Sequence, residues 1–290
     1  MITLKKILPT GDLAFKKVFA SVENTDILGG LINDFFGIKA EEITITDPYS
    51  IDTYRNLQSD ISELRYALRD VSAIFKTADF ISEMQVERNQ HFEERLMYYL
   101  CTRFCANLGV EGRMKMGRDG KPNRYSSLRP VYALNILDFT HYDDDNPLRV
   151  FGFYDHIRHL RPKNEFLHYA CFELTKSGME TENQKHWHDY FKLGEVKSEA
   201  PDYIRKASEI IDFANLGEEE RKMAEALEKA RDTMQDELDY SFFEGKKAGI
   251  AEMTQAVGMI QNGKPLEDIA RSLSLPLDGL RQLYAQLQPN

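Results

Sequence analysis

Hydrophobic residues recur at helical spacing near the start of the chain. Gly37 follows this apolar stripe, whose members are Phe15, Val18, Phe19, Ile27, Leu28, Leu31, Ile32 and Phe35. Apolar side chains three and four positions apart share one face of a helix, and glycine often follows its last turn. The pattern predicts that residues 9–37 are helical and that one face covers a core.

Further along, the pattern changes to that of strands. Apolar residues alternate or run continuously at 43–45, 70–75, 80–86 and 131–139, and in "RVFGFYD" and "LHYACFEL". Residues 76–79 make a connection of hairpin length between the second and third of these strands. The segment "HFEERLMYYLCTRFCANL" carries an amphipathic helical pattern instead. The continuous apolar run at 131–139 is typical of a strand buried on both faces.

The C-terminal part of the chain is helical and polar. One apolar stripe repeats every three or four residues, through Met223, Leu227, Ala230, Met234 and Leu238. It fits a single amphipathic helix or a short coiled-coil seam. The end predicts two short helices in the outline of a helix-turn-helix, although two-helix hairpins of other kinds are common. We therefore predict a core at 1–176, a helical extension at 177–245 and a helical hairpin at 246–290.

Composition agrees with a globular protein. The 290 residues are 42% hydrophobic and 29% charged, and no apolar run is long enough to span a bilayer. Neither a signal peptide nor a nucleotide-binding glycine motif is recognisable. The three cysteines, Cys101, Cys105 and Cys171, form no disulfide framework, so we expect buried free thiols in a cytoplasmic protein.

The charge of the chain is unevenly distributed. Its net value is −10, yet residues 1–135 hold 18 basic and 18 acidic residues, which leaves the whole deficit to the rest. One segment is strongly basic, with two acids against Arg103, Arg113, Lys115, Arg118, Lys121, Arg124 and Arg129. Such a segment can contact a phosphate backbone, and we expect DNA contacts from Arg113, Lys115 and Arg118. A solvated basic loop is the alternative.

The predicted strand at 80–86 contains two polar residues that a buried strand should not need. Glu83 and Gln85 share one face, because side chains alternate along a strand. A hairpin places Asp70 near that face, and two carboxylates at a strand end suit Mg²⁺ or Mn²⁺. Such an ion activates water for phosphodiester hydrolysis, and Gln85 can orient that water but cannot serve as a base. A salt-bridged sheet edge is the alternative interpretation.

These motifs together resemble a known family. An acid that opens a strand, followed by E-x-K or E-x-Q on the next strand and then a helix, is the arrangement of PD-(D/E)XK nucleases. More narrowly, the chain resembles the Rpn family of recombination-promoting nucleases and transposases in "PTGDLAFKKVF", "NDFFGI", "DVSAIFKTADFISEMQVERNQHFEERLMYY", "YSSLRPVYALNIL", "CFELTKSGMETENQKHWHDYF" and "EEERKMAEALEKA". The resemblance covers most of the chain. It implies an α/β fold with a restriction-endonuclease-like core, a central mixed sheet flanked by helices, and a helical C-terminal region.

The resemblance also implies catalytic positions. Asp70 matches the first catalytic acid of the family, Glu83 the second, and Gln85 the position of the usual lysine. The Rpn-like group typically has glutamine there, so this departure does not by itself indicate an inactive site. Arg69 stands where the superfamily name has proline, a position that varies widely.

Four further residues are candidates for supporting roles. Asp12 and Lys16 lie one turn apart on the first helix, where the superfamily often supplies an extra acid; a surface ion pair is the alternative. Arg95 and Tyr98 lie on the polar side of the helix after Gln85 and could contact phosphate or position the second acid. That side is alternatively only the solvated face of an amphipathic helix.

The predicted function is metal-dependent DNA endonuclease activity, linked to DNA recombination, transposition or defence against foreign DNA. A catalytically inactive member of the same fold that binds DNA or protein is the alternative, and RNA as the substrate stays open. The C-terminal helices are the expected surface for any homo-oligomer. No membrane partner is expected, and the scattered histidines lack the companions of a zinc site.

Overall fold

We describe a computed structural model of the chain, covering residues 7–50, 70–86, 88 and 90–287. The chain divides into two compact units, Met1–Glu225 and Ala226–Asn290. The three-segment division predicted from the sequence places its boundaries elsewhere and stays a prediction.

The N-terminal helical segment is two helices rather than one. Helix α1 is Asp12–Phe19 and helix α2 is Thr25–Phe36, with a 3-10 turn at Val22–Asn24 between them. Ser21 Oγ and Asn24 Nδ2 both donate to the carbonyl oxygen of Lys17, at 2.5 and 3.3 Å. Short polar side chains that bond to the nearby backbone compete with the helical ladder, which explains the break. Gly37 ends α2 in the left-handed conformation, with φ of 67°.

A six-stranded mixed sheet forms the centre of the first unit. Its strands are β1 (Thr44–Ile45), β2 (Asp70–Ile74), β3 (Asp79–Gln85), β6 (Val131–Leu137), β7 (Leu148–Phe151) and β8 (Leu167–Glu173). They lie in the order β1-β2-β3-β6-β8-β7. Strands β3, β6 and β8 are parallel to one another, and the remaining neighbours pair antiparallel. Two short strands, β4 (Lys115–Met116) and β5 (Pro122–Asn123), form a separate hairpin.

Helices cover both faces of this sheet. Helix α3 (Phe92–Ala106) packs on one face through Phe92, Leu96 and Leu100 against a core that includes Val131 and Cys171. On the other face lie α1, α2, α4 (Glu182–Leu193) and α5 (Asp202–Ile210). The predicted α/β class, with a central mixed sheet flanked by helices and a helical C-terminal region, is confirmed.

One carboxylate joins three helices of the larger core. Asp34 of α2 accepts hydrogen bonds from the Trp187 indole at 2.9 Å, the Tyr203 hydroxyl at 2.8 Å and the Asn183 amide at 2.8 Å. Helix α2 also approaches α5 closely, since a side chain added at Gly30 would meet the Tyr203 ring at 2.4 Å. The motifs "NDFFGI" and "ENQKHWHDYF" are therefore tied to each other through helix packing.

The expectation of three buried thiols is wrong in part. The cysteines are free, but only Cys171 is buried, whereas Cys101 is half-buried and Cys105 is exposed on α3. Both lie on the helix that covers the sheet, at positions turned away from the core. Burial raises the pKa of the Cys171 thiol to about 12, so it stays protonated at neutral pH.

The second unit contains a helical hairpin. Helix α6 (Glu218–Gln261) is 44 residues long and crosses the boundary between the units, and α7 (Leu266–Leu273) and α8 (Leu277–Leu287) follow it. Ala256, Ile260, Ile269 and Leu280 form a small core among these three helices. None of the helices in the described part of the chain has an apolar stretch that could cross a membrane.

Candidate active site

The pairing of β2 with β3 places the two candidate acids at facing positions. Asp70 is the direct register partner of Glu83 in this antiparallel pair. Residues directly opposite each other in an antiparallel pair share a face of the sheet. The face is the one covered by α3, because Ile81, two residues before Glu83, packs in the core beneath that helix. The side chain of Asp70 lies outside the described residues.

Both candidate site residues of β3 are buried. Glu83 is 9% exposed and Gln85 is 2% exposed, while Phe80 and Met84 on the opposite face lie in the larger core. Strand β3 is thus enclosed on both faces, as its place beside the central strand β6 requires. A carboxylate in such a position costs free energy unless a cation or hydrogen bonds compensate for its lost hydration.

Arg95 provides part of this compensation. Its Nη2 atom lies 2.8 Å from Glu83 Oε1, and its guanidinium stands over the Tyr99 ring at 5.9 Å. Arg95 occupies the first turn of α3, which runs back along β3 after the connection that follows Gln85. Tyr98, by contrast, is 66% exposed on the outer side of α3. The structure brings Arg95, but not Tyr98, to the buried carboxylate.

Gln85 has a buried polar atom that forms no hydrogen bond with the described residues. Its Nε2 atom has no hydrogen-bond partner within the described part of the chain. A buried unsatisfied donor costs about 1–3 kcal/mol, which is the pattern expected where a bound water or ligand completes the site. Its backbone carbonyl accepts from Asp138 N at 2.9 Å, so the residue is held firmly in the sheet.

A divalent ion fits this donor set. No three His, Cys, Asp or Glu side chains cluster for a metal among the described residues, a set that excludes the Asp70 side chain. Carboxylate oxygens at 70 and 83 with water as the remaining ligand match what Mg²⁺ prefers. Gln85 Nε2, two residues away on the same face and without a hydrogen-bond partner in the described part of the chain, can hold such a water.

Comparison with known proteins identifies the family. Residues 9–241 match the model of the PD-(D/E)XK nuclease family transposase. The chain belongs to this family. No curated protein and no solved structure matches it. The fold is accordingly restriction-endonuclease-like, and the function is of the nuclease type.

In this member of the PD-(D/E)XK family, part of the basic segment contacts a buried carboxylate. Asp79, the first residue of β3, is buried and pairs with Arg103 at 2.7 Å and with Arg129. Asn107 Nδ2 donates to the same carboxylate at 3.2 Å, and Arg113 donates to Asn107 Oδ1 at 2.8 Å. Burial lowers the pKa of Arg129, and the positive charges of Arg113 and Arg103 act in the same direction.

The basic segment therefore divides into two groups. Arg103 and Arg129 pair with a buried carboxylate and Arg113 bonds to Asn107 beside it. In contrast, the exposed residues in and beside the β4–β5 hairpin are Lys115, Arg118, Lys121 and Arg124. The sequence pattern could not separate these groups, because the partner Asp79 is distant along the chain. Of the three residues predicted to contact DNA, Lys115 and Arg118 are the two that solvent reaches freely.

The remaining predicted supporting residues lie on α1. Lys16 is buried, and its ammonium donates to Asp47 Oδ2 at 2.8 Å. Asp12 begins the same helix, whose apolar side packs in the larger core. That core covers the sheet face opposite to the one shared by Glu83 and Gln85. No catalytic role of Asp12 or Lys16 follows from this geometry, and the prediction stays open.

One buried polar residue beside the site was missed by the sequence interpretation. Asn135 is the register partner of Glu83 on β6, and its side chain is buried on the same face of the sheet. Asn135 Nδ2 donates to the Ala170 carbonyl at 3.2 Å. The signal was one asparagine inside the apolar run "VYALNIL", the same kind of anomaly as Glu83 in β3.

Another buried carboxylate lies at the end of β8. Glu173 is 0% exposed, and its oxygens lie 3.0 Å from Arg149 Nη1 and 2.7 Å from Lys176 Nζ. Backbone N–H groups of His141 and Tyr142 also donate to it, at 2.6 and 3.1 Å. Its hydrogen bonds hold the loop after β6, and Glu173 stands in the same row of the sheet as Leu137 and Gln85. These contacts compensate for the burial of its carboxylate.

Proposed function

We propose that the protein is a divalent-metal-dependent DNA endonuclease that hydrolyses phosphodiester bonds. Asp70 and Glu83 are the metal ligands, and Gln85 orients the attacking water. The observation that supports this assignment is the direct pairing of position 70 with a buried Glu83, next to a Gln85 Nε2 atom that has no hydrogen-bond partner among the described residues. A structural salt bridge accounts for Glu83 and Arg95 but gives no reason for the unbonded amide.

Each side chain has its own role in the proposed reaction. Bound Mg²⁺ or Mn²⁺ supplies positive charge that polarises the phosphate and acidifies a water. Glu83, which lies beside Arg95, would bind that charge. The Gln85 amide donates a hydrogen bond that holds the water, since an amide takes no proton at neutral pH. Arg95, one-third exposed, can also contact a phosphate oxygen.

A second candidate is a binding protein of the same fold without catalysis. The glutamine at position 85 favours this candidate, because it lacks the positive charge that lysine would place beside the developing negative charge. The two candidates differ in cleavage and not in DNA affinity. DNA recombination, transposition or defence against foreign DNA is the biological role that we propose for either.

Supercoiled plasmid tests the assignment. Purified protein should nick or linearise it with Mg²⁺ or Mn²⁺ and leave it intact with EDTA. Glu83→Ala protein, prepared in the same way, controls for a copurifying nuclease. Equal cleavage by the two preparations would assign the activity to a contaminant, and no cleavage with either ion would favour the binding protein.

We further propose that the exposed basic residues bind DNA without sequence preference. Replacing Arg113, Lys115 and Arg118 by glutamine should weaken binding to every sequence and reduce the slope of log affinity against log salt by about 0.9 per lost phosphate contact. The Lys115→Gln/Arg118→Gln pair avoids the Asp79 network and should lower that slope by about 2. Fluorescence anisotropy at several salt concentrations measures both quantities.

The matched control for this pair is Lys246→Gln/Lys247→Gln, which removes two exposed lysines from α6. It should leave the salt slope unchanged. If affinity for one sequence alone fell with the hairpin pair, Lys115 and Arg118 would read bases rather than bind phosphates.

Self-association through the C-terminal helices is also a proposal. Helix α6 exposes a group of large apolar side chains, Leu238, Tyr240, Phe242 and Phe243. Exposed apolar surface of this kind commonly marks a protein contact, and a second copy of the helix would cover it.

A further inference from the structure

The loop between β7 and β8, residues 152–166, exposes an unusual group of apolar side chains. Ile157 at its apex is 87% exposed, and the exposed set also includes Phe153, Tyr154 and Leu160. Single exposed apolar residues are ordinary on protein surfaces, whereas a cluster on one short loop indicates a contact surface. The family assignment and the proposed active site do not account for this loop.

The apex is a closed turn that holds these side chains outward. Asp155 Oδ1 accepts from the backbone N–H groups of Ile157 at 2.8 Å and Arg158 at 3.3 Å. The turn is closed by Asp155 N, which donates to Leu160 O at 2.7 Å, and by His159 N, which donates to Asp155 O at 2.8 Å. The Tyr154 ring stacks on His159 with centroids 5.7 Å apart. The hydrogen bonds of this turn therefore hold Ile157 in an exposed position.

Cations flank the apex. Arg158, Arg161 and Lys163 are exposed, and of these Arg161 pairs with Glu165 at 3.5 Å. Arg158 and Lys163 form no ion pair with any residue that the structure describes. An apolar tip beside two uncompensated cations is complementary to a polyanion that also offers flat apolar surfaces. Nucleic acid has both properties, in its phosphates and its stacked bases.

The loop and the basic segment leave the sheet at the same end. Strand β7 runs antiparallel to β8, so it finishes where the parallel strands β3, β6 and β8 begin. Arg103 and Arg129 contact Asp79 at the first residue of β3, which places the basic segment at this end too. Phe166, at the base of the loop, packs on Phe104 of α3 with centroids 5.6 Å apart. Two separate cationic segments therefore border one end of the sheet.

We propose that the 152–166 loop is a nucleic-acid wedge: Ile157 inserts between bases while Arg158 and Lys163 contact the flanking phosphates. The proposal rests on DNA as the substrate of the proposed nuclease. Apolar side chains that enter a base step kink the duplex, and neighbouring cations supply most of the affinity. The wedge would locally unstack the DNA that the exposed hairpin residues Lys115 and Arg118 bind without sequence preference.

The test uses the full-length protein in EDTA, so that binding is measured without cleavage. A duplex of about 20 base pairs with a fluorophore at each end reports bending by energy transfer and affinity by titration. Wild-type protein should raise the energy transfer. Ile157→Ser should abolish this rise and weaken binding by about fivefold or more, with the salt slope and melting temperature unchanged. Arg158→Gln/Lys163→Gln should instead lower the salt slope by about 2.

Val22→Ser is the matched control, because it removes another exposed β-branched residue, from the 3-10 turn after α1, and should alter neither bending nor affinity. Wild-type binding and bending by Ile157→Ser would overturn the wedge. The wedge would also be overturned if Ile157→Ser no longer sedimented with phosphatidylcholine–phosphatidylserine vesicles but still bound DNA, since the loop would then contact lipid. Plasmid cleavage is scored separately, so an uncleaved plasmid with the expected bending refutes the nuclease and leaves the wedge standing.

Discussion

Glu83→Ala should lower metal-dependent plasmid cleavage by at least about 100-fold while the protein stays folded. The substitution removes a proposed metal ligand whose burial is itself unfavourable. Arg95 loses its 2.8 Å partner, but its side chain is 34% exposed and can be hydrated. Mn²⁺ should raise the melting temperature of the wild-type protein and have a much smaller effect on the variant, because a ligand stabilises only the state that binds it.

Three companion variants separate the roles within the site. Asp70→Ala should lose cleavage like Glu83→Ala, since a single carboxylate holds Mg²⁺ poorly. Gln85→Ala should slow cleavage and keep metal binding, and Gln85→Lys should stay active because lysine occupies that position across the superfamily. Glu94→Ala, at an exposed acid on α3, is the matched control. Wild-type cleavage by both Asp70→Ala and Glu83→Ala would show that the proposed site is wrong.

Glu173→Ala should destabilise the fold by about 3–5 kcal/mol, without direct loss of metal binding. The carboxylate is fully buried and compensates the charges of Arg149 and Lys176. Its removal leaves the exposed Asp144 as the remaining acid beside these two cations among the described residues. Glu173→Gln should cost less, because an amide oxygen can still accept from the His141 and Tyr142 backbone N–H groups. Urea unfolding followed by circular dichroism measures the difference.

An exposed acid gives the comparison for this prediction. Glu182 pairs with Lys185 on the surface of α4, and Glu182→Ala should leave the urea midpoint nearly unchanged, because water hydrates both exposed groups. A similar small change for Glu173→Ala would mean that Arg149, with Asp144 beside it, needs no charge from Glu173.

The local elements of the first unit could be predicted from the sequence because their signals are local. The apolar stripe of α3 and the continuous run of β6 each specify an element within a dozen residues, and the short connection at 76–79 makes β2 and β3 antiparallel neighbours. That adjacency sets Asp70 opposite Glu83, so the proposed metal site follows from one hairpin. The site residues themselves stay predictions.

What the sequence did not predict depends on partners far apart in the chain. Arg129 lies 50 residues after Asp79, and Glu173 lies 24 residues after Arg149, so no local pattern links either pair. Asn135 differs from these pairs, because its signal is local: a single asparagine inside a run that otherwise predicts an ordinary apolar strand. The break between α1 and α2 is a local effect that was missed, since the helical stripe continues past Ser21 and Asn24.

The ion pair of Glu83 with Arg95 affects the stability of the protein in the absence of a metal ion. Because the chain supplies a counter-charge for this acid, folding does not have to wait for a metal ion. Under the proposed function, the protein can exist folded without the metal, and DNA cleavage then depends on the supply of divalent ions. Chelation would stop the proposed cleavage without unfolding the protein.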